Sequence, residues 1–218
     1  MVTLSKEESA ALQASIRQVS QRVARELQAR PGVGHALHFI SHLHAGIDKI
    51  VMQAEQRGQA PACQAACNSC CYLRVEASQA EVLLIARHLR QGTLPQLQEI
   101  RQRLLQRQQH MQAATAPLAR LACAFLQDGL CSIYPLRPAS CRKAHSFSAA
   151  ACHTQAAEIP QDLSITLAAE ALQRGTAAGY RQAGLAADPL ELTAAMLWAL
   201  DDAGAEEGWL AGQGDRAG

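Results

Sequence analysis

The sequence predicts an all-α protein, mainly helical with one short β-hairpin, organised around a cluster of cysteines. Three observations predict it. Apolar residues recur at helical spacing along most of the chain, the pattern of helices with one buried face. Aromatic residues are scarce, with two Trp, three Tyr and three Phe in 218 residues, whereas Ala, Leu and Gln are abundant, which suits helices better than a large sheet. Eight cysteines fall into two groups in the middle of the chain.

Ser5 and Glu8 form a capping box, and Leu12, Ile16, Val19, Val23 and Leu27 repeat at helical spacing until Arg30-Pro31-Gly32, predicting a helix over 6–29. A second helix follows through Leu37, Ile40, Leu43, Ile47, Ile50 and Val51 and ends at Gly58, where a left-handed cap is sterically free. These two should pack as a hairpin. Ser78 and Glu81 cap a third helix over 79–91, closed by Gly92, and Thr93 with Pro95 starts a fourth that reaches about 113, before Pro117 breaks the pattern.

Asp128-Gly129 sits between two short apolar runs in residues 123–134, the signal of a tight hairpin turn. Further helices fit 139–145 and 162–182, and Asp188-Pro189 with Glu191 caps a last one over 189–202. The organisation read from these elements is an N-terminal helical hairpin (1–58) packing on the core, a cysteine-cluster metal-binding domain (59–155), C-terminal helices (156–207) and a flexible tail (208–218). That tail carries four Gly in eleven residues, so it should fray.

A chain of this length buries enough surface to fold without disulfides. Lys and Arg number 20 against 19 Asp and Glu, a formal charge of +1, so no strong field exists for nucleic acid or an anionic membrane. Arg101, Arg103 and Arg107 make a local basic run among Gln residues, read as a solvated helix face. The N-terminus lacks the apolar core of a secretory signal, and no stretch approaches the roughly 20 apolar residues that span a bilayer. The expectation is a soluble, cytoplasmic protein with no membrane or nucleic-acid partner. In that reducing compartment, eight cysteines are metal ligands or redox groups rather than a disulfide framework.

The first group reads Cys63-x3-Cys67-x2-Cys70-Cys71. On a helix these side chains share one face, and in a loop the short spacing still keeps the sulfurs close enough for one ion or cluster. The second group, Cys123, Cys131, Cys141 and Cys152, has seven, nine and ten residues between successive members. The hairpin brings Cys123 near Cys131, and both halves of the chain can contribute to a shared centre. Thiolates suit borderline or soft metals, so four satisfy a tetrahedral zinc or an iron–sulfur cubane, and eight could fill two such sites. Arg137 and Arg142 bracket Cys141 and are placed to offset leftover negative charge. Cys123 and Cys152, taken singly, also suit the small buried hydrophobe that a free Cys often is. His145 and His153 lie beside cluster cysteines and are candidates for replacing a thiolate.

The pattern of Cys63, Cys67, Cys70 and Cys71, followed by Cys123, Phe125, Leu126, Asp128, Gly129, Cys131, Ile133, Tyr134, Arg137, Pro138, Cys141 and Arg142, resembles the YkgJ cysteine-cluster family. The resemblance covers roughly 60–152 and implies a zinc- or iron-chelating module. A flagellin lysine methylase with a related cysteine pattern is thought to use an iron–sulfur centre, so the resemblance also leaves an enzymatic role open.

Other patterns carry less. The spacing of Cys63, Cys67 and Cys70 matches the cluster loop of radical S-adenosylmethionine enzymes, yet that loop follows a barrel strand, and here helical patterns flank it. His35, His38, His42 and His44 cluster on the second helix, with no acidic partner of a metalloprotease type, and read as a polar helix edge or an interface. No cysteine is singled out with a His base and an orienting third group, as a nucleophilic enzyme requires. The function read from the sequence is therefore metal binding by Cys63, Cys67, Cys70, Cys71, Cys123, Cys131, Cys141 and Cys152, with Arg137 and Arg142 as charge partners. The metal is zinc or iron, including a 4Fe–4S cluster, in a structural, storage or regulatory role, with a protein partner left open. The alternative is an iron–sulfur or metal-dependent enzyme that modifies a protein, as a lysine N-methylase does.

Overall fold

The computed structural model describes residues 4–64, 66–114 and 120–212. Helix α1 (Lys6–Ala29) starts at its capping box, with Ser5 Oγ accepting the Glu8 N–H at 3.0 Å and the Glu8 carboxylate accepting the Ser5 N–H at 2.8 Å. Helix α2 (Val33–Gln56) closes at Gly58 in the left-handed region, φ +81°. Two further boxes, Ser78 with Glu81 and Thr93 with Gln96, start α3 (Gln79–Leu89) and α4 (Leu94–Ala113). The break expected at Pro117 lies outside the described residues.

The expected hairpin is present. Strands β2 (Leu126–Gln127) and β3 (Leu130–Cys131) pair antiparallel, and Asp128 and Gly129 between them take φ +48° and +79°, the two positive values of a type I′ turn. Two short helices follow, α5 (Ala139–Lys143) and α6 (Ala149–His153), then α7 (Leu163–Gln182), capped by Asp162, α8 (Leu192–Asp201) and α9 (Ala205–Leu210).

The core lies where α2, α3, α7 and α8 meet. Leu37, Ile40 and Ile47 of α2, Val82, Leu83 and Ile85 of α3, and Met196 of α8 are all at most 1% exposed, each side chain contributing about 1.5–3 kcal/mol by leaving water. Phe125 and Ile133 from the two sides of the hairpin join the same cluster, which seats the cysteine-bearing segment on the helices.

Four features differ from expectation. The main partner of α1 is α7, not α2, because Gly175 and Gly179 leave a notch on α7 into which Val19 and Val23 fit. A Cβ at either glycine would lie 2.5 Å from the valine Cβ. A second strand pair was not foreseen, in which β1 (Glu76–Ser78) pairs antiparallel with β4 (Pro189–Glu191). Each is a three-residue lead into a helix, too short to leave an alternating pattern. The last long helix therefore begins at Leu192, with Glu191 as its cap accepting the Ala194 N–H at 2.9 Å.

The tail expected to fray from Gly208 is helical through Leu210, since Trp209 is 1% exposed and its Nε1–H donates to the Ala186 carbonyl at 2.7 Å. Residues 213–218 of that tail lie outside the described residues. Finally, the arginine run of α4 is not a solvated face. Arg101 pairs with Asp201 at the surface, but Arg103 donates to the Leu126 carbonyl. Arg107, 8% exposed, donates to the Leu121 and Ala122 carbonyls and, at 3.1 Å, to Thr193 Oγ1. No helix among the described residues is long and apolar enough to cross a membrane.

Candidate metal centre

The first cysteine group is a loop ending in a 3-10 turn, Ser69–Tyr72, rather than an α-helix. Cys67 N–H closes on the Gln64 carbonyl at 3.0 Å, Ala66 adopts φ +66°, and Cys71 N–H closes on the Asn68 carbonyl at 2.8 Å. The loop is pinned from three sides. Ala62 N–H donates to the Ser146 carbonyl at 2.7 Å, Asn68 Nδ2 reaches the Gly129 carbonyl at the hairpin turn at 3.3 Å, and Arg120 donates to the Ser69 carbonyl at 2.7 Å.

The second group is brought to the first by backbone. Cys123 N–H donates to the Cys71 carbonyl at 2.8 Å, and Cys131 pairs with Leu126 across the hairpin. Cys141 sits on α5, whose first residue, Ala139, donates its N–H to Glu81 at 2.7 Å. The result is one cavity of about 620 Å³ lined by Cys63, Cys67, Cys70, Cys71, Cys123, Cys131 and Cys141. No Asp, Glu or His among the described residues lines it. Arg74 and Arg137 do, and Leu73, Leu130 and Tyr134 form an exposed apolar rim. Cys152 does not line the cavity, but α6, which carries it, packs against the 3-10 turn, and its charge is felt at Cys63.

All eight cysteines are free thiols, and the titration of six of them reflects crowding. Burial pushes Cys63, Cys123 and Cys131 up from the ordinary thiol value. Burial, followed by the charges of Cys123, Cys70 and Cys131, pushes Cys141 far up. Cys70 goes the other way, to about 6, chiefly because the Cys71 thiol hydrogen-bonds to it, with Arg137 and Arg120 adding positive charge. The same bond, with burial, drives Cys71 far up. Thiols that resist ionising one by one ionise together when a cation supplies the compensating charge.

The two arginines expected to balance that charge part ways. Arg137 lines the cavity, its guanidinium 3.9 Å from the Tyr134 ring centre and 3.6 Å from Asp48. Arg142 turns away from the thiols. It is 7% exposed and spends its donors on the carbonyls of Arg137 (2.9 Å) and Pro135 and on Asp48 (2.5 Å), so it braces the turn that presents Arg137.

His145 is also committed elsewhere. Its Nδ1 lies 2.8 Å from the Lys143 carbonyl and its Nε2 accepts the Asp162 N–H at 2.9 Å, leaving no free ring nitrogen to replace a thiolate. His153 is exposed on α6. The α2 histidines do not act as one group either. His38 and His42 stack edge to face on the surface with ring centres 6.0 Å apart, while His44 turns inward to Glu81 at 3.0 Å.

That buried His44–Glu81 pair was missed in the sequence. Glu81 announces itself only as the end of a capping box, yet its carboxylate accepts from Ala139 and Ser78 and faces His44 at 1% exposure. Burial works against its charge, but the bonds from His44, Ala139 and Ser78 outweigh it, and the carboxyl sits below its ordinary value.

A soft, all-thiol donor set of this kind fits zinc or iron and excludes hard ions such as magnesium or calcium, which take oxygen ligands. Among the described residues, no three His, Cys, Asp or Glu side chains are already drawn into a group that would hold a metal ion.

Residues 62–170, half of the chain, match the CxxCxxCC family, whose description is "Putative zinc- or iron-chelating domain". The chain belongs to this family. No curated protein and no solved structure matches it.

Proposed function

We propose that the protein binds zinc or iron through thiolates, with Cys63, Cys67, Cys70, Cys71, Cys123, Cys131 and Cys141 as cavity ligands and Cys152 joining from its rim. One observation carries the reading: cysteines from four separate segments line one cavity that, among the described residues, has no competing carboxylate or imidazole. Ion binding would draw these side chains inward from their present positions, with Arg137 offsetting part of the remaining negative charge. A structural or regulatory role follows most simply, because a centre that ties the loop, the hairpin and α5 together makes metal-binding energy part of folding energy. Eight free thiols suit a reducing, cytoplasmic setting.

A second reading, a metal-dependent enzyme acting on a protein, is supported by the exposure of Cys63 and Cys70, which would leave a bound ion or cluster one face toward solvent. Lysine N-methylation is one such chemistry.

Elemental analysis and an absorption spectrum of anaerobically purified protein test the proposal. Stoichiometric zinc in a colourless protein, or iron with sulfide and a brown colour, is the expected result. Protein that binds neither metal, purified or reconstituted, overturns it. Labelling of cell extract by the loaded protein, lost on ligand substitution, separates the enzyme from the structural role.

A further inference from the structure

We propose that the thiols form two metal centres, a closed inner one on Cys71, Cys123, Cys131 and Cys141 and an exchangeable outer one on Cys63, Cys67, Cys70 and Cys152. The inference rests on the metal-binding reading above and divides its ligands. The inner four sit on backbone that is already cross-tied. Cys123 is bonded to Cys71, Cys131 is held by the hairpin register, and Cys141 rides on a helix anchored by Glu81.

The outer set gathers at a second contact, between the first loop and the segment that follows α5. Cys63 and Cys67 lie on the loop that Ala62 ties to Ser146, and Cys152 lies on α6, which follows Ser146 and packs on the 3-10 turn. Cys152 does not line the cavity that the other seven share, and the Ala62–Ser146 bond with the packing of α6 on the turn carries it toward the Cys63 end of the loop. Cys70 neighbours Cys71 on the 3-10 turn, and its exposure, shared with Cys63 where Cys71 is only half-exposed, assigns it to the outer group.

Valence leaves room for the division. A tetrahedral ion is saturated by four thiolates, so one ion would leave three of the seven cavity cysteines, and Cys152, without a ligand role, in a cavity of about 620 Å³ that far exceeds what one ion occupies. Two ions saturate all eight. Exposure then predicts their behaviour, since a chelator reaches the outer ion first.

The test is native mass spectrometry of the full chain, reduced, metal-free and titrated anaerobically with Zn²⁺, followed by chelator-driven release. Two ions per chain, leaving in a fast and a slow phase, are expected. Cys63→Ser and Cys152→Ser should each drop the count from two to one and abolish the fast phase only. Both positions lie away from the core, and retained helical circular dichroism checks that each variant folds. A single ion in the unsubstituted chain, or loss of the slow phase with C63S or C152S in folded protein, overturns the division while metal binding stands. No bound Zn²⁺ at all overturns the division, and if iron is not taken up either, the metal-binding reading falls with it.

Discussion

The backbone N–H of Cys123 donates to the backbone carbonyl of Cys71 at 2.8 Å, so the early and late cysteine groups are joined by main chain before any ion is considered. A peptide hydrogen bond here restricts both sulfurs to one neighbourhood, which lowers the entropy a cation must overcome to gather them. The parts of the protein that hold this junction in place are the ones whose loss should be felt at the site.

Arg107 is the first of these. Arg107→Ala removes donors from two part-buried carbonyls just before Cys123 and from the buried Thr193, and a buried acceptor left unsatisfied costs about 1–3 kcal/mol. We expect a lower denaturation midpoint, together with weaker Zn²⁺ uptake by titration. Arg107→Lys should recover only part of either, because an ammonium cannot match the guanidinium fork. Unchanged stability in R107A would show that the clamp is idle.

Glu81 sets a pH limit. Its carboxyl is held below the ordinary value, so its stabilisation is complete above the unfolded carboxylate value of about 4.3 and is lost as pH falls through the lower, folded value. Urea midpoints measured from pH 7 to pH 3 should fall toward the acid end, and Glu81→Gln should be less stable at pH 7 with a flatter acid limb. Glu81→Ala, which strands His44 and the Ala139 N–H, should cost about 3–5 kcal/mol, the range for breaking a buried pair.

The notch on α7 makes a steric prediction. Gly179→Ala gains about 1 kcal/mol of helix propensity, but its methyl would sit 2.5 Å from Val23 Cβ and 2.8 Å from the Ser20 carbonyl, and overpacking of that kind costs about 1–3 kcal/mol. Net destabilisation is expected in thermal melts, with the double variant G179A/V23A recovering part of the loss. A stabilised G179A would mean that α1 can move away freely.

Cys70 should be the most reactive thiol of the metal-free chain. With its thiol lowered to about 6 by the Cys71 hydrogen bond and two arginines, its thiolate fraction rises as pH climbs through that value, while Cys71, Cys131 and Cys141 stay protonated. Alkylation mapped by peptide mass spectrometry should mark Cys70 first near neutral pH. Cys71→Ala and Arg137→Ala should each move the midpoint of labelling upward.

Trp209 ties the C-terminal helix to the core. Trp209→Ala loses a nearly buried indole and its bond to Ala186, a change worth about 3–5 kcal/mol. Unfolding by guanidinium should show a lower midpoint with little change in slope. A chain ending at 204 should behave alike.

Much of this architecture is legible locally. Ser5 with Glu8, Ser78 with Glu81 and Asp128-Gly129 act on backbone within three residues of themselves, so their outcome does not wait for the rest of the fold. The β1–β4 pair left no mark because three-residue strands flanking helix caps carry no periodicity. The role of Arg107 left none because a long side chain between glutamines looks the same whether it reaches water or two carbonyls. Arg142 and His145 misled for a related reason: adjacency to Cys141 in sequence says nothing of which way a side chain turns once α5 has begun.

By itself, the sequence determined the helices, their caps, the hairpin turn and the soft-donor chemistry of eight thiols, because each depends on residue type and near neighbours. The tertiary structure alone decided that seven cysteines line one cavity while Cys152 does not, that α1 lies in the glycine notch of α7, and that Glu81 and Arg107 brace the cysteine segments. Those are contacts between residues far apart in the chain, and the packing that creates them is a property of the whole core rather than of any stretch within it.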